Sequence, residues 1–434
     1  MKFNLTRVLV VAILTAGAVV SVVAREGNIP PQTSLLGDLS SVESSTLLCA
    51  ALDAGTSPVN GVVTFSNSSD HRRHLTAVLS DGIHSAGAEW TVPAHGSLTV
   101  RPSEYLSYTN LTVRAVADGG GVTGVTRTTV GPTSTVPCRS NGSSSWMVSG
   151  LRTKNGALAR VVVMNPTATP SVINVTTWSS NGYLQPAPFQ GLVVPPVGQV
   201  TLNLSNYIVE ATDVSVIVTS LRGHIVATAL QVEGRNGSLV AGQSELTKTQ
   251  WYPAVPSDDA ENVALNVLNP NSTRADIRVD FDIPGFKISP LRFSVPGGSS
   301  QVTLIPNSRI PSAGLASLKV TSRAPIATTL QLTRASLQRV MSPPPLANEL
   351  SWVGSAGVPD SMRVVADSDA TVVFHYVRDG SPITVSAKVV AGQAITPPAE
   401  WRNAGHGIVT SSAQMSLTSI FANAAFECAL DPRE

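Results

Sequence analysis

Three short landmarks recur in a fixed order along this chain, and that recurrence limits its fold more than any bulk property does. The first is an apolar strand ending at an asparagine turn: Val62-Val-Thr-Phe-Ser-Asn67, Val161-Val-Val-Met-Asn165-Pro166 and Leu265-Asn-Val-Leu-Asn269-Pro270. A weaker copy is Met362-Arg-Val-Val-Ala-Asp367. Proline pushes the residue before it out of the helical region, so Asn-Pro reads as a turn. The second landmark is Val92-Pro-Ala-His-Gly96, Val194-Pro-Pro-Val-Gly198 and Val295-Pro-Gly-Gly298. Each copy leads into an alternating strand: Leu98-Thr-Val100, Val200-Thr-Leu-Asn-Leu204 and Val302-Thr-Leu-Ile305. The third reads as a closing hairpin, in which Ala227-Thr-Ala-Leu-Gln231 matches Ala327-Thr-Thr-Leu-Gln331 one hundred positions later. The strand before it ends Val218-Thr-Ser220 or Val320-Thr-Ser322, echoed by Val409-Thr-Ser411. Trp146, Trp251 and Trp352 open units at matching places, as core or inter-unit packing residues would.

The units read as β. In Asp276-Ile-Arg-Val-Asp-Phe-Asp-Ile283 charged and apolar residues alternate, so Ile277, Val279, Phe281 and Ile283 share a core face. Past residue 25 no stretch keeps helical periodicity for the length a helix needs. Short strands with Gly, Pro and Asn turns predict an all-β chain of tandem immunoglobulin-like β-sandwiches of about 100 residues each. The Cys…Trp…Cys core is missing, so the term describes architecture and not ancestry. A propeller is the competing arrangement, but its blades of about 40–50 residues are too small for this repeat. The expected boundaries are 46–139, 146–240, 250–340 and a divergent 350–434, after a Ser/Gly/Pro-rich linker at 25–45. The 241–250 join looks tight and the others loose, with Ser342-Pro-Pro-Pro345 a stiff spacer.

Lys2 and Arg7 precede a charge-free run from Val8 to Ala24. A basic start and an apolar stretch have the form of a secretory signal or signal anchor, expected as an N-terminal apolar helix over 1–24. Cleavage after Ala24 would release the chain; retention would leave a single-pass membrane anchor with extracytoplasmic domains. Either outcome exports the rest.

The chain has three cysteines, Cys49, Cys138 and Cys428. Cys49 and Cys138 bracket one unit and are the candidate disulfide, a bridge worth several kcal/mol; three buried thiols are the other reading. Formal net charge is +1, so neither a basic nor an acidic footprint is present, and no nucleic acid is expected.

Chemistry is hard to find. His71, His74, His84 and His95 fall in the first unit without zinc-ligand spacing. Ser257-Asp258-Asp259-Ala-Glu261 lacks the ordering of a calcium loop and reads as a solvated acidic turn. Gly119–Gly121 reads as a hairpin tip and not a phosphate cradle. Neither a G-x-S-x-G elbow nor a supported S-x-x-K is present. No catalytic, cofactor or metal residue is nominated. Asn67, Asn110, Asn174 and Asn271 stand in N-x-[ST] sequons.

With its apolar start, the Leu47-Leu-Cys49 opening of the first unit and these repeated turns, the chain resembles an uncharacterised actinobacterial family of large secreted or membrane-anchored proteins with a domain of unknown function. The resemblance brings no activity, cofactor or catalytic residue. The expectation is a non-catalytic structural or interaction protein of the cell envelope, with an envelope protein or cell-wall glycan as partner. The alternative is an array of carbohydrate-binding modules, which requires Trp90, Trp178 and Trp401 to be exposed. A hydrolase site formed between domains is the third reading.

Overall fold

The computed structural model describes residues 46–428 apart from 53–60, 109, 129–134, 180–181, 235, 257–261, 284, 307–308, 311–314, 335–336, 342, 344–346, 354–360, 379–380, 404–405 and 422–423. The expected helix at 1–24, the linker at 25–45 and the acidic turn at 257–261 lie outside these residues. Among the described residues no helix is long and apolar enough to cross a membrane.

The strands fall into four groups. Unit 1 holds β1 (Thr46–Leu52), β2 (Gly61–Asn67), β3 (Arg73–Ser80), β4 (Ser85–Val92), β5 (Ser97–Val100), β6 (Leu111–Ala117), β7 (Val122–Thr128) and β8 (Thr135–Pro137). Unit 2 holds β9 (Ser145–Leu151), β10 (Leu158–Met164), β11 (Ser171–Ser179), β12 (Gly182–Leu184), β13 (Leu192–Val194), β14 (Gln199–Asn203), β15 (Val214–Arg222), β16 (Val226–Glu233) and β17 (Asn236–Ala241). Unit 3 holds β18 (Thr247–Pro256), β19 (Asn262–Asn269), β20 (Ala275–Asp282), β21 (Leu291–Val295), β22 (Ser299–Ile305), β23 (Leu315–Arg334) and β24 (Leu337–Met341). Unit 4 holds β25 (Ala347–Val353), β26 (Ser361–Ala366), β27 (Ala370–Arg378), β28 (Ser381–Val389), β29 (Ala394–Ile395), a short helix α1 (Ala399–Asn403), β30 (His406–Phe421) and β31 (Ala424–Cys428).

Each unit is a two-sheet antiparallel sandwich. The orders in unit 1 are β1-β6-β3-β4 and β5-β2-β7-β8, and unit 2 repeats them as β9-β15-β11-β12 and β14-β10-β16-β17. In units 3 and 4 a single strand, β23 or β30, crosses from one sheet into the other. The third landmark is therefore not a hairpin. Its two segments, β15 and β16, are successive parts of one path that changes sheets, and pair with different partners. Gly119–Gly121 makes the same sheet change in unit 1, between β6 and β7, with Gly121 at φ +85°. The immunoglobulin arrangement keeps strands C, F and G in one sheet. Here the sixth and seventh strands separate, so the units are sandwiches with a different connection.

The first two landmarks are one physical feature. Asn165 is fully buried, and its amide donates to the carbonyls of Thr169 (2.7 Å), Val194 (3.2 Å) and Pro195 (3.0 Å). Its Oδ1 accepts from the Thr167 backbone N–H (3.0 Å) and hydroxyl (2.8 Å). Asn67 makes the same set with His71, Val92, Pro93 and Ser69, and Asn269 with Thr273, Val295, Pro296 and Asn271. The asparagine turn and the Val-Pro turn recur together because one side chain ties them. In unit 4 Val365 pairs with Ala394 as Met164 pairs with Gln199, so the clamp position falls on Ala366 and not on the sequence-aligned Asp367. Alanine has no amide to donate, and the facing Val389-Val390 has no proline. The divergence of unit 4 begins there.

The four units close on themselves. The first strand of each packs on the second sheet of the next: β1 on β10 and β16, β9 on β19 and β23, β18 on β26 and β30. The cycle returns through β25, which packs on β7 of unit 1. The last strands add a second set of contacts, β8 with β17, β17 with β24, and β31 with β8. Burial agrees with closure. Val63 and Phe65 fill the unit 1 core, yet Val62, Thr64, Ser66 and Val125 on the opposite face of that sheet are also buried. A strand buried on both faces needs cover on both. The overall plan is thus a ring of sandwiches, closed as a propeller is closed but with far larger members. The 1–2 join, expected to be loose, is held where Leu48 and Arg139 exchange backbone hydrogen bonds and Arg139 reaches the Gly242 carbonyl (3.0 Å); the spacer at 342–345 lies mostly outside the described residues.

Register overturns two sequence matches. Val218 pairs with Trp146, whereas its counterpart Val320 pairs with Gln250. Trp146 therefore enters its own core, while Trp251, one step along, faces outward against unit 4 beside Gly392. In the same way Ala227 pairs with Val163 but Ala327 pairs with Leu268, one residue out of step. A one-residue slip exchanges the faces. Gln231 accordingly bonds Arg152 of its own unit (3.0 Å to the carbonyl), and Gln331 bonds the Gly150 carbonyl of the preceding one (2.8 Å).

Candidate interaction surface

The seams between units are built from both apolar and polar groups. At the 1–2 seam Val136 packs with Val162, Leu230 and Leu239, and Leu48 enters the unit 2 cluster. At the 2–3 seam Met147 and Trp178 pack with Leu268 and Ala327. Beside that cluster Ser149 bonds Thr329 (3.3 Å), Gln243 bonds the Thr328 carbonyl (2.7 Å) and Ser215 bonds Ser300 (2.8 Å). At the 3–4 seam the Ala394 backbone N–H donates to Asp282 (3.0 Å). These seams consume the first strand and second sheet of each unit and, at Trp178, Ser215 and Asp282, part of a first sheet's outer face, leaving the loops and the rest of those outer faces for a partner.

The residues singled out from sequence are distributed as follows. Cys49 and Cys138 form a disulfide joining β1 to the segment after β8. The four histidines of unit 1 do not converge. His95 pairs with Asp70 (2.8 Å), His84 with Asp81 (3.0 Å) while stacking on Tyr108, and His74 with Thr91 (3.0 Å). Burial raises the Asp81 carboxyl, but hydrogen bonds from the His84 ring and the backbone N–H groups of His84 and Ile83 outweigh it and lower its pKa. Among the described residues no three His, Cys, Asp or Glu side chains are placed to share a metal ion. Asn67 and Asn271 have their amides engaged internally, so those two sequons sit in folded turns.

Trp90, Trp178 and Trp401 are all buried, at 8%, 7% and 0% exposure. Trp90 donates to the Tyr105 hydroxyl (2.8 Å) and Trp401 packs on Phe374. A row of exposed rings for stacking on sugars is not formed by these residues, and the carbohydrate-module reading loses the feature that suggested it.

Sequence reasoning missed the outer face of the first sheet of unit 3. There Asp276, Arg278, Arg292, Ser294, Thr321 and Arg323 line a shallow groove of about 650 Å³. Arg278 pairs with Asp280 (2.7 Å) and Arg274 with Asp276 (3.1 Å). The Asp280 carboxylate raises the Arg278 pKa. The signal lies in the alternating 276–283 segment, whose charged positions Asp276, Arg278, Asp280 and Asp282 read only as a face turned to water.

Residues 130–397 match the profile of a Family of unknown function (DUF5719), and the chain belongs to that family. No curated protein matches. Among solved structures, one described as a tetra-tandem repeat in the extending region of a large adhesion protein is 10% identical, covering 89% of this chain and 99% of that one, with a TM-score of 0.11. At that score the likeness carries no structural argument.

Proposed function

We propose that this DUF5719 chain is an exported, non-catalytic interaction scaffold of the cell envelope. The observation that carries the reading is the closed ring. Four sandwiches bury one another's second sheets, which gives a rigid body whose loops and outer faces are held at fixed relative positions. Rigid presentation lowers the ordering cost of binding a large partner. The Cys49–Cys138 disulfide supports an oxidising compartment, as does the basic and apolar N-terminal sequence. The N-terminal run serves in this reading as signal or single-pass anchor, and the partner is an envelope protein or a wall glycan.

A phosphatase reporter that folds only in oxidising surroundings, fused after residue 45, should be active in intact cells. Photo-crosslinkers at the exposed positions Ile83 and Tyr183 should give a discrete adduct in envelope fractions. An inactive reporter would remove the export half of the reading, and the absence of any adduct would remove the interaction half.

A further inference from the structure

The outer face of the first sheet is the same architectural surface in all four units, so the units serve as internal controls for one another. At one cross-strand row the residues are Thr76 opposite Glu89 in unit 1 and Val373 opposite Ser386 in unit 4. In unit 2 the position is Asn174, whose Oδ1 accepts from the Gly191 backbone N–H (2.8 Å). In unit 3 the row is Arg278 opposite Arg292, with Thr321 on the other side. Like charges placed directly opposite on a sheet are destabilising. Nothing in the repeat requires arginine here, because three other units fold without it.

Arg278 turns away from Arg292 to pair with Asp280. Arg292 and Arg323 are exposed, and among the described residues neither side chain has an ion pair or hydrogen bond. Arg323 lies two residues beyond Thr321, on the same face. Adjacent strands are about 4.8 Å apart, so the guanidinium groups line one groove together with the hydroxyls of Ser294 and Thr321.

We propose that this face binds a linear polyanion of the phosphodiester class. Guanidinium groups present planar forks that match the two free oxygens of a phosphodiester. The side chains offered around the unpaired arginines are rich in donors, so the favoured ligand is a chain that accepts along its backbone. An acidic peptide would bring backbone N–H donors to a sheet face that has no main-chain acceptors to meet them. Asp280 weakens the attraction because it must share Arg278 with the ligand, and Asp276, paired with Arg274, adds negative charge at the groove. The proposal names a partner chemistry within the scaffold reading, but the binding itself depends only on this face.

The test uses the full chain and a fluorescein-labelled glycerol phosphate dodecamer, with binding followed by anisotropy at several salt concentrations. The wild-type chain should bind, and Arg292→Ser with Arg323→Ser should weaken binding about tenfold, the effect expected when about 1.4 kcal/mol is lost. The slope of log affinity against log salt should fall by about 1.4, as two phosphate contacts disappear. Asp280→Asn, which frees Arg278, should tighten binding several-fold, a gain that misfolding cannot produce. An unchanged affinity in the double variant, no gain in Asp280→Asn, or equal competition by poly-glutamate of the same length would overturn the proposal. The scaffold reading would survive such a failure, because its own tests are the reporter and crosslinking experiments.

Discussion

Replacing Asn165 by alanine removes the side chain that ties two turns of unit 2. The Val194 carbonyl is buried in that contact, and those of Thr169 and Pro195 are partly buried. The Thr167 N–H and hydroxyl lose their acceptor as well. A buried polar group left without a partner costs about 1–3 kcal/mol, and a partly buried one less, because water replaces the lost bond. One full penalty of about 2 kcal/mol and two partial ones of about 1 kcal/mol each give about 4 kcal/mol in total. If two units melt together, that corresponds to a fall in Tm of roughly 8–16 °C.

Asn165→Asp is the sharper variant. It keeps the shape and the accepting oxygen but places a second oxygen against three carbonyls, so it should be no better than alanine at neutral pH. Exposed-face Asn174→Ala, which loses one bond to the Gly191 N–H, should cost under about 1 kcal/mol. Calorimetry would measure all three, and hydrogen exchange should localise the loss to β10 and β14. If Asn165→Asp melted with the wild type, the clamp argument would fail, since its whole weight rests on the two amide hydrogens.

Three other outcomes follow from the structure. Small-angle scattering of residues 46–434 should give a radius of gyration near that of a compact chain, about 21 Å; four sandwiches strung end to end would give roughly twice that. Replacing Cys49 and Cys138 by serine should destabilise unit 1 by up to about 4–5 kcal/mol, the expectation for a bridge closing so long a loop, as read by denaturant titration. Burial lowers the His375 pKa, so the unfolded chain takes up its proton first. Stability of unit 4 should therefore decline as pH falls below about 6.5 and level off below the folded pKa, and His375→Gln should flatten that dependence in pH-stepped thermal melts.

The parts of this fold that could be read in the sequence are those written in short-range pattern. Alternation in 276–283 gives the strand and its core face, and the Asn-Pro and Val-Pro turns mark where strands end. That a single asparagine joins the two turns could not be read, because its bonds span about thirty residues and asparagine at a turn has many local explanations. The one-residue slips were invisible for a related reason. Trp146 and Trp251 align well by eye, but face is decided by which residue stands opposite on the next strand, and that partner lies some seventy residues away. The outer face of unit 3 was legible and passed over, since charged residues alternating with apolar ones are the ordinary mark of a solvated strand.

Ring closure depends on the slips. The position that faces the next unit is Leu48 in β1, Met147 in β9 and Trp251 in β18. Tryptophan is far larger than leucine or methionine, so a repeat that placed identical residues there would not fit all of the seams. Each seam has been packed separately, with Leu48 at the unit 2 cluster, Met147 against Leu268 and Ala327, and Trp251 beside Gly392 under the Lys319 ammonium, 4.6 Å from its ring. The surface that receives β25 in unit 1 is more polar, with Thr64 and Ser66 where unit 2 has Val162 and Met164. Burying hydroxyls gains less than burying methyl groups. The seam between units 4 and 1 thus gains less from apolar burial than the 1–2 seam does, and it also involves the unit whose clamp position carries Ala366 in place of asparagine. Unfolding should therefore open this seam before the 1–2 seam, with β25 leaving β7 before β1 leaves β10 and β16.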